Sequence, residues 1–155
     1  MKELTGHATT AVDAPPEECI ALVAAVDRYP TWYPAVIRKV DVIERDAAGA
    51  VRRARVTVHL AVGPLANDFK FEISVEVQPA AVILARVPHE ASDPDKLEVH
   101  WQVKPGELGV DVAARLEVPR FLPVGGAGDS VAQGFVEAAR RVLDDSRAKA
   151  SASSS

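Results

Sequence analysis

At 155 residues, 48% hydrophobic and 26% charged, the chain has the size and composition of one folded, soluble domain around a single core, far from the low-hydrophobicity, high-charge range of disordered chains. A formal net charge of −4, with no Lys/Arg cluster beyond RKV and VRRAR, whose charges alternate with apolar residues, excludes binding driven by neutralising nucleic-acid phosphates. The single cysteine, Cys19, excludes an intramolecular disulfide, and without a C-x-x-C or Cys/His spacing there is no structural zinc motif.

A reducing compartment fits this cysteine usage. MKELTGHATTAVDA has no apolar h-region and no run approaches the roughly 18 apolar residues of a membrane span, so a cytoplasmic protein with no integral membrane segment is expected. Abundant alanine, with arginine in excess of lysine, points to a GC-rich bacterial source.

Residues 6–12 (GHATTAV), rich in Thr and Val, read as a first strand. Asp13 then suits an N-cap, Pro15 and Pro16 a first turn, and Glu17 and Glu18 the positive end of a helix dipole, with CIALVAAV supplying an apolar face. The helix is expected to run about three turns and to end at Tyr29-Pro30, because a residue before proline is driven out of the helical region. DRYPTWYP (27–34) holds three of the chain's four Phe, two Trp and two Tyr residues. Its prolines turn the chain from one short helix into the next, while Trp32 and Tyr33 supply large rings to close a core or line a cavity.

From Val36 the sequence alternates for some eighty residues: VIRKVDVIERD (36–46), the turn AAGA, VRRARVTVHLAV (51–62), DFKFEISVEV (68–77), AVILARVP (81–88), LEVHWQVKP (97–105) and LGVDVAARLEV (108–118). Each has one apolar face, exemplified by Val56, Val58 and Leu60, by Phe69, Phe71 and Ile73, by Trp101 and Val103, and by Val112 and Ala114. Short connections make these strands an antiparallel meander. DSVAQGFVEAARRVLDDSRAK, capped by Asp129 or Ser130 and carrying Val131 and Phe135 on its apolar stripe, reads as one amphipathic helix of roughly five turns. The domain is expected to end near residue 147, with 148–155 a disordered tail.

The expected fold is therefore α+β: a seven-stranded antiparallel sheet that must curl around the one long helix, since strands about 4.8 Å apart make a sheet wider than a helix roughly 10 Å across. The opening strand running into APPEECIALVAAVDRYPTWYP, the VIRKVDVIERDAAGAVRRARVTV hairpin and the closing GFVEAARRVL helix resemble the START-like, helix-grip superfamily (SRPBCC), which includes the polyketide cyclase/dehydrase and lipid-transport proteins. The resemblance spans about residues 4–145. It implies two short helices after the first strand and an interior that receives an apolar small molecule between sheet and long helix.

The alternation also tests for chemistry in that interior. His59, His100 and Asp111 lie opposite apolar neighbours and are expected to face solvent or cross-strand partners. The inward face is then aliphatic and aromatic, suited to holding a hydrophobic ligand, with Leu84 among its members. Two arginines stand apart: Arg86 shares a face with Val82 and Leu84, and Arg38 with Val36, Val40 and Val42, so an inward guanidinium able to orient a carboxylate or polyketide oxygen is open at both positions. A strand bulge, with Gly63 or Pro79 as its companion, would reverse the faces beyond it. VGGAG lacks the lysine of a P-loop and reads as a gate at a cavity mouth; HEASDPDK reads as a solvated loop; Cys19 reads as a small buried residue. No cofactor and no metal is expected, the oligomeric state stays open, and the partner is a hydrophobic small molecule: a lipid, quinone or polyketide-like compound. The alternative is an aromatic polyketide cyclase or dehydratase, with Arg86 its candidate catalytic residue.

Overall fold

The computed structural model describes residues 2–62, 65–88, 96–116 and 127–153. Strand β1 (Lys2–Ala11) leads into helix α1 (Pro16–Ala24), a 3-10 turn (Val26–Arg28) and the four-residue helix α2 (Tyr29–Trp32). Six strands follow, β2 (Ile37–Arg45), β3 (Val51–Val62), β4 (Leu65–Gln78), β5 (Ala81–Arg86), β6 (Lys96–Lys104) and β7 (Glu107–Leu116), before helix α3 (Ala127–Ser153). All neighbours pair antiparallel in the order β1-β7-β6-β5-β4-β3-β2, so the first strand lies beside the last and β2 forms the opposite edge. This is the curved seven-stranded sheet gripping a long C-terminal helix that the alternation implies. Among the described residues, no helix is long and apolar enough to cross a membrane.

Local chemistry sets the hairpins. Asp46 accepts the backbone N–H groups of Ala48 and Ala50 at 2.9 and 3.0 Å, closing the β2–β3 turn around Gly49. Those backbone bonds, the Ala50 one foremost, hold the Asp46 carboxyl below its ordinary pKa. Gly106, at φ 80°, turns β6 into β7.

The helical segment departs from expectation in three ways. Pro15, extended at φ −65° and ψ 155°, is the N-cap of α1 in place of Asp13, and no side chain caps the helix. With proline also at position 16, the first turn has fewer N–H donors to satisfy, which lessens the need for a cap. The helix ends at Ala24, short of the Tyr29-Pro30 step. Tyr29 itself is helical, at φ −52° and ψ −41°, and Pro30 sits in the first turn of α2: burial of Tyr29 to 1% exposure outweighs the pre-proline preference, and the proline starts a helix instead of ending one.

Helix α3 begins two residues before Asp129 and continues through Ser153, past residue 148 where a disordered tail is expected; the AKASAS segment has no helix breaker to stop it. Its first turn lies directly on β1. A Cβ at Gly6 would collide with the backbone of Gly128, and one at Gly128 with the backbone of Thr5, so both positions must lack a side chain. Asp129 then accepts the backbone N–H of His7 at 3.2 Å, fastening the helix to the strand in place of capping the helix.

The core runs between the concave sheet face and the inner stripe of α3, where Ala132, Phe135, Val136, Ala139 and Leu143 are buried. Helix α1 closes one end, burying Val23 and Cys19, whose thiol reaches the Ala14 carbonyl at 3.9 Å. Burial raises the Cys19 pKa, as expected of an inert core thiol. Three register shifts interrupt the pairing of β2 with β3, one between Ile37 and Lys39. It turns Ile37 into the core and Arg38 to solvent, which closes the inward possibility left open for Arg38. Pro79 occupies the β4–β5 turn, and Gly63, VGGAG and HEASDPDK lie wholly or largely outside the described residues.

Candidate functional site: an apolar cavity

Strand register places the interior residues in rows. Leu4, Ala114 and Leu97 oppose one another across β1, β7 and β6; Gly6, Val112, Val99 and Leu84 form the next row. Over these rows, and over Ile73, Phe71, Val56, Val58 and Leu60 of β3 and β4, the sheet curves away from α3. The cavity left there holds about 690 Å³ of atom-free space including its open mouth, of which about 50 Å³ admits the centre of a water-sized sphere. The larger figure counts open solvent at the mouth; the smaller is the enclosed room, a narrow interior. Val131, Phe135 and Gly128 of α3 and Val26, Tyr29, Val36 and Ile37 complete the wall.

Ten of the residues expected to meet a ligand therefore line it: Val56, Val58, Leu60, Phe71, Ile73, Leu84, Val112, Ala114, Val131 and Phe135. Six others lie elsewhere. Phe69 is half-buried one step further along β4, stacked on Phe71 at 6.3 Å. Trp101 and Val103 are buried in the next two rows along β6, outside the cavity lining. Tyr33 lies across α3, where a Cβ at Gly134 would strike its ring, and donates its hydroxyl to the Val131 carbonyl at 3.0 Å. Trp32 packs 4.8 Å from Tyr29 and nearly parallel to Tyr33, and its buried indole N–H has no partner among the described residues.

Arg86 is directly opposite Ile73, which puts it on the concave face, half-buried at the end of β5. Its guanidinium carbon lies 5.9 Å from the centroid of Phe71, a cation–π distance.

Eight lining residues were not singled out from the sequence, among them Tyr29, Val36, Leu97 and Val99. Leu97 and Val99 share the apolar face of β6 with Trp101 and Val103, and the alternation does not say which of the four border the cavity. Tyr29 contributes only carbon to the wall, because its hydroxyl turns away to donate to the Val23 carbonyl at 2.5 Å and accept the Trp101 indole N–H at 3.0 Å. Burial drives its pKa well above the ordinary tyrosine value.

The strand histidines and their acidic partners are on the other face of the sheet. His59 meets Asp68 at 2.7 Å, His7 meets Asp111 at 2.5 Å, and His100 lies 3.6 Å from Glu98. Burial tends to raise the Asp111 pKa, but hydrogen bonds from Gln102 and His7 outweigh it and hold the carboxyl low. Among the described residues no group of three or more His, Cys, Asp or Glu side chains is placed to hold a metal ion.

A curved antiparallel sheet wrapped on one helix, with an apolar cavity between them, defines a helix-grip protein of the START class. The family model for polyketide cyclase / dehydrase and lipid transport matches residues 12–142, and the chain belongs to that family. Among solved structures, a START superfamily protein from Mycobacterium smegmatis is similar over 92% of this chain and 98% of its own, with a TM-score of 0.65 at 18% identity. The Zhui aromatase/cyclase from Streptomyces sp. R1128 is similar over 92% and 94%, with a TM-score of 0.56 at 13% identity. The di-domain ARO/CYC StfQ of the steffimycin biosynthetic pathway aligns over 94% of this chain and 52% of its own, with a TM-score of 0.61 at 11% identity. These identities establish a shared fold and no more. No curated protein sequence matches the chain.

Proposed function

We propose that the protein binds a hydrophobic small molecule, of lipid, quinone or polyketide-like character, in the cavity between sheet and α3, as a carrier or sensor in the cytoplasm. The observation that carries this reading is the wall itself: its lining is apolar, and its one phenol has its hydroxyl tied up behind the ring. Such a surface gains by exchanging water for carbon, at roughly 25 cal/mol per Å² of apolar area covered. Protein purified from its own host and examined by native mass spectrometry is expected to carry an extractable apolar compound, released unaltered. Protein that retains nothing, and that takes up no member of a lipid and quinone panel, overturns the proposal.

Arg86 favours a second reading. A guanidinium on the concave face beside Phe71 is suited to polarising a carbonyl of a folded poly-ketone chain whose apolar body lies in the cavity. Under an aromatic polyketide cyclase or dehydratase function, acceleration would come from orienting the chain and stabilising developing negative charge. Arg86→Ala is then expected to lower turnover of a poly-ketone substrate by about 10²-fold or more with an unchanged melting temperature. Unaltered turnover in the folded variant removes Arg86 from the reaction.

A further inference from the structure

Resting on the binding function just described, we propose that Trp101, held by Tyr29, is a floor that limits the ligand's depth and so selects a compact ring system or short chain over a long acyl chain. The cavity stops abruptly. Val112, Val99 and Leu84 line it, whereas the next inward residues on the same strands, Val110, Trp101 and Val82, are 0% exposed and outside its lining. The two rows are one side-chain repeat apart on the same strands, so a change of packing, and not of sheet curvature alone, ends the cavity.

Trp101 is the bulky member of that row, and it is fixed on two sides. Its indole N–H donates to the Tyr29 hydroxyl at 3.0 Å, which itself donates to the Val23 carbonyl of α1. Its ring meets Phe135 of α3 edge-on at 5.4 Å. A chain of hydrogen bonds thus ties the sheet to α1, and the ring contact adds α3. Swinging the indole aside to admit a longer ligand would strand a buried N–H and break the aromatic contact. Beyond Trp101 along the same strands, Val103 and Leu108 face one another and are buried.

A ligand entering tail first gains about fourfold in affinity for each methylene it takes out of water, until it reaches the floor. Straight-chain acids from hexanoic to hexadecanoic, with menadione as a compact ring, supply the test, read by calorimetric titration of the full chain. With the native protein, affinity is expected to rise along the series and then level off before hexadecanoic acid. Trp101→Leu is expected to shift the plateau to longer chains and improve hexadecanoic acid binding by about tenfold or more, with menadione binding retained. Trp101→Phe, which keeps a ring and disturbs packing less, is expected to fall between the two. Affinity that climbs unchecked to hexadecanoic acid in the native protein overturns the floor, as does an unshifted plateau in either folded variant; menadione binding then shows that the cavity itself still functions. If no acid and no menadione binds to any of the proteins, the binding function falls and the floor with it.

Discussion

The chain has two tyrosines, and both are buried with their hydroxyls engaged. Burial pushes the Tyr33 phenol from its ordinary value of 10.0 up to about 12, with the nearby Glu137 carboxylate adding to the shift, and Tyr29 is displaced in the same direction. Raised folded-state values mean that the neutral phenols stabilise the fold below about pH 10, and that this contribution is lost as pH rises through 10 to 12, where the unfolded chain ionises first. Tyrosinate absorbance is therefore expected to appear together with loss of tertiary structure in an alkaline titration. Phenolate formation in protein that stays folded near pH 10 contradicts the burial of both rings.

At the scale of elements, β1 and α3 depend on a contact of backbone with backbone. Gly128→Ala drives a methyl into the Thr5 peptide, which no side-chain rotation relieves. Overpacking of this kind costs about 1–3 kcal/mol, against a gain in helix propensity of about 1 kcal/mol at most. Net destabilisation in denaturant unfolding is expected, together with displacement of the adjacent cavity residue Val131; a more stable variant would show that α3 does not lie so close. That contact was illegible in the sequence, since a glycine's empty space has meaning only once its neighbour is known. The strands were legible, because alternation such as Phe69, Phe71, Ile73 and Val75 against Lys70, Glu72 and Ser74 admits one period. Arg38 was not, because a bulge changes register without changing the pattern of residue types. Pro30 misled because its local preference yields to the burial of Tyr29.

Across the whole molecule, charge and apolarity are separated by the sheet. The convex face carries ion pairs such as Arg53–Glu72 and Arg115–Glu3, exposed or partly so and screened by solvent, while the concave face carries the packing. The candidate site was legible to that extent: the apolar faces named ten lining residues. How deep the cavity reaches was not, because Trp101 and Val99 follow the same alternation, and only the tertiary placement of Tyr29 and Phe135 decides which borders empty space.

The lone thiol, on the buried side of α1, has a further use. Cys19 is 0% exposed and its pKa is raised, so an alkylating reagent can reach it only when α1 leaves the core. Where opening and closing are fast relative to alkylation, the labelling rate of the native protein measures the free energy of that opening, with no engineered reporter and no denaturant. Because Val23 of α1 also receives the Tyr29 hydroxyl, an occupied cavity is expected to slow alkylation of a residue that no ligand touches. Cys19 would then act as a clock set by occupancy, and a rate unchanged by saturating ligand would show that α1 opens independently of the cavity.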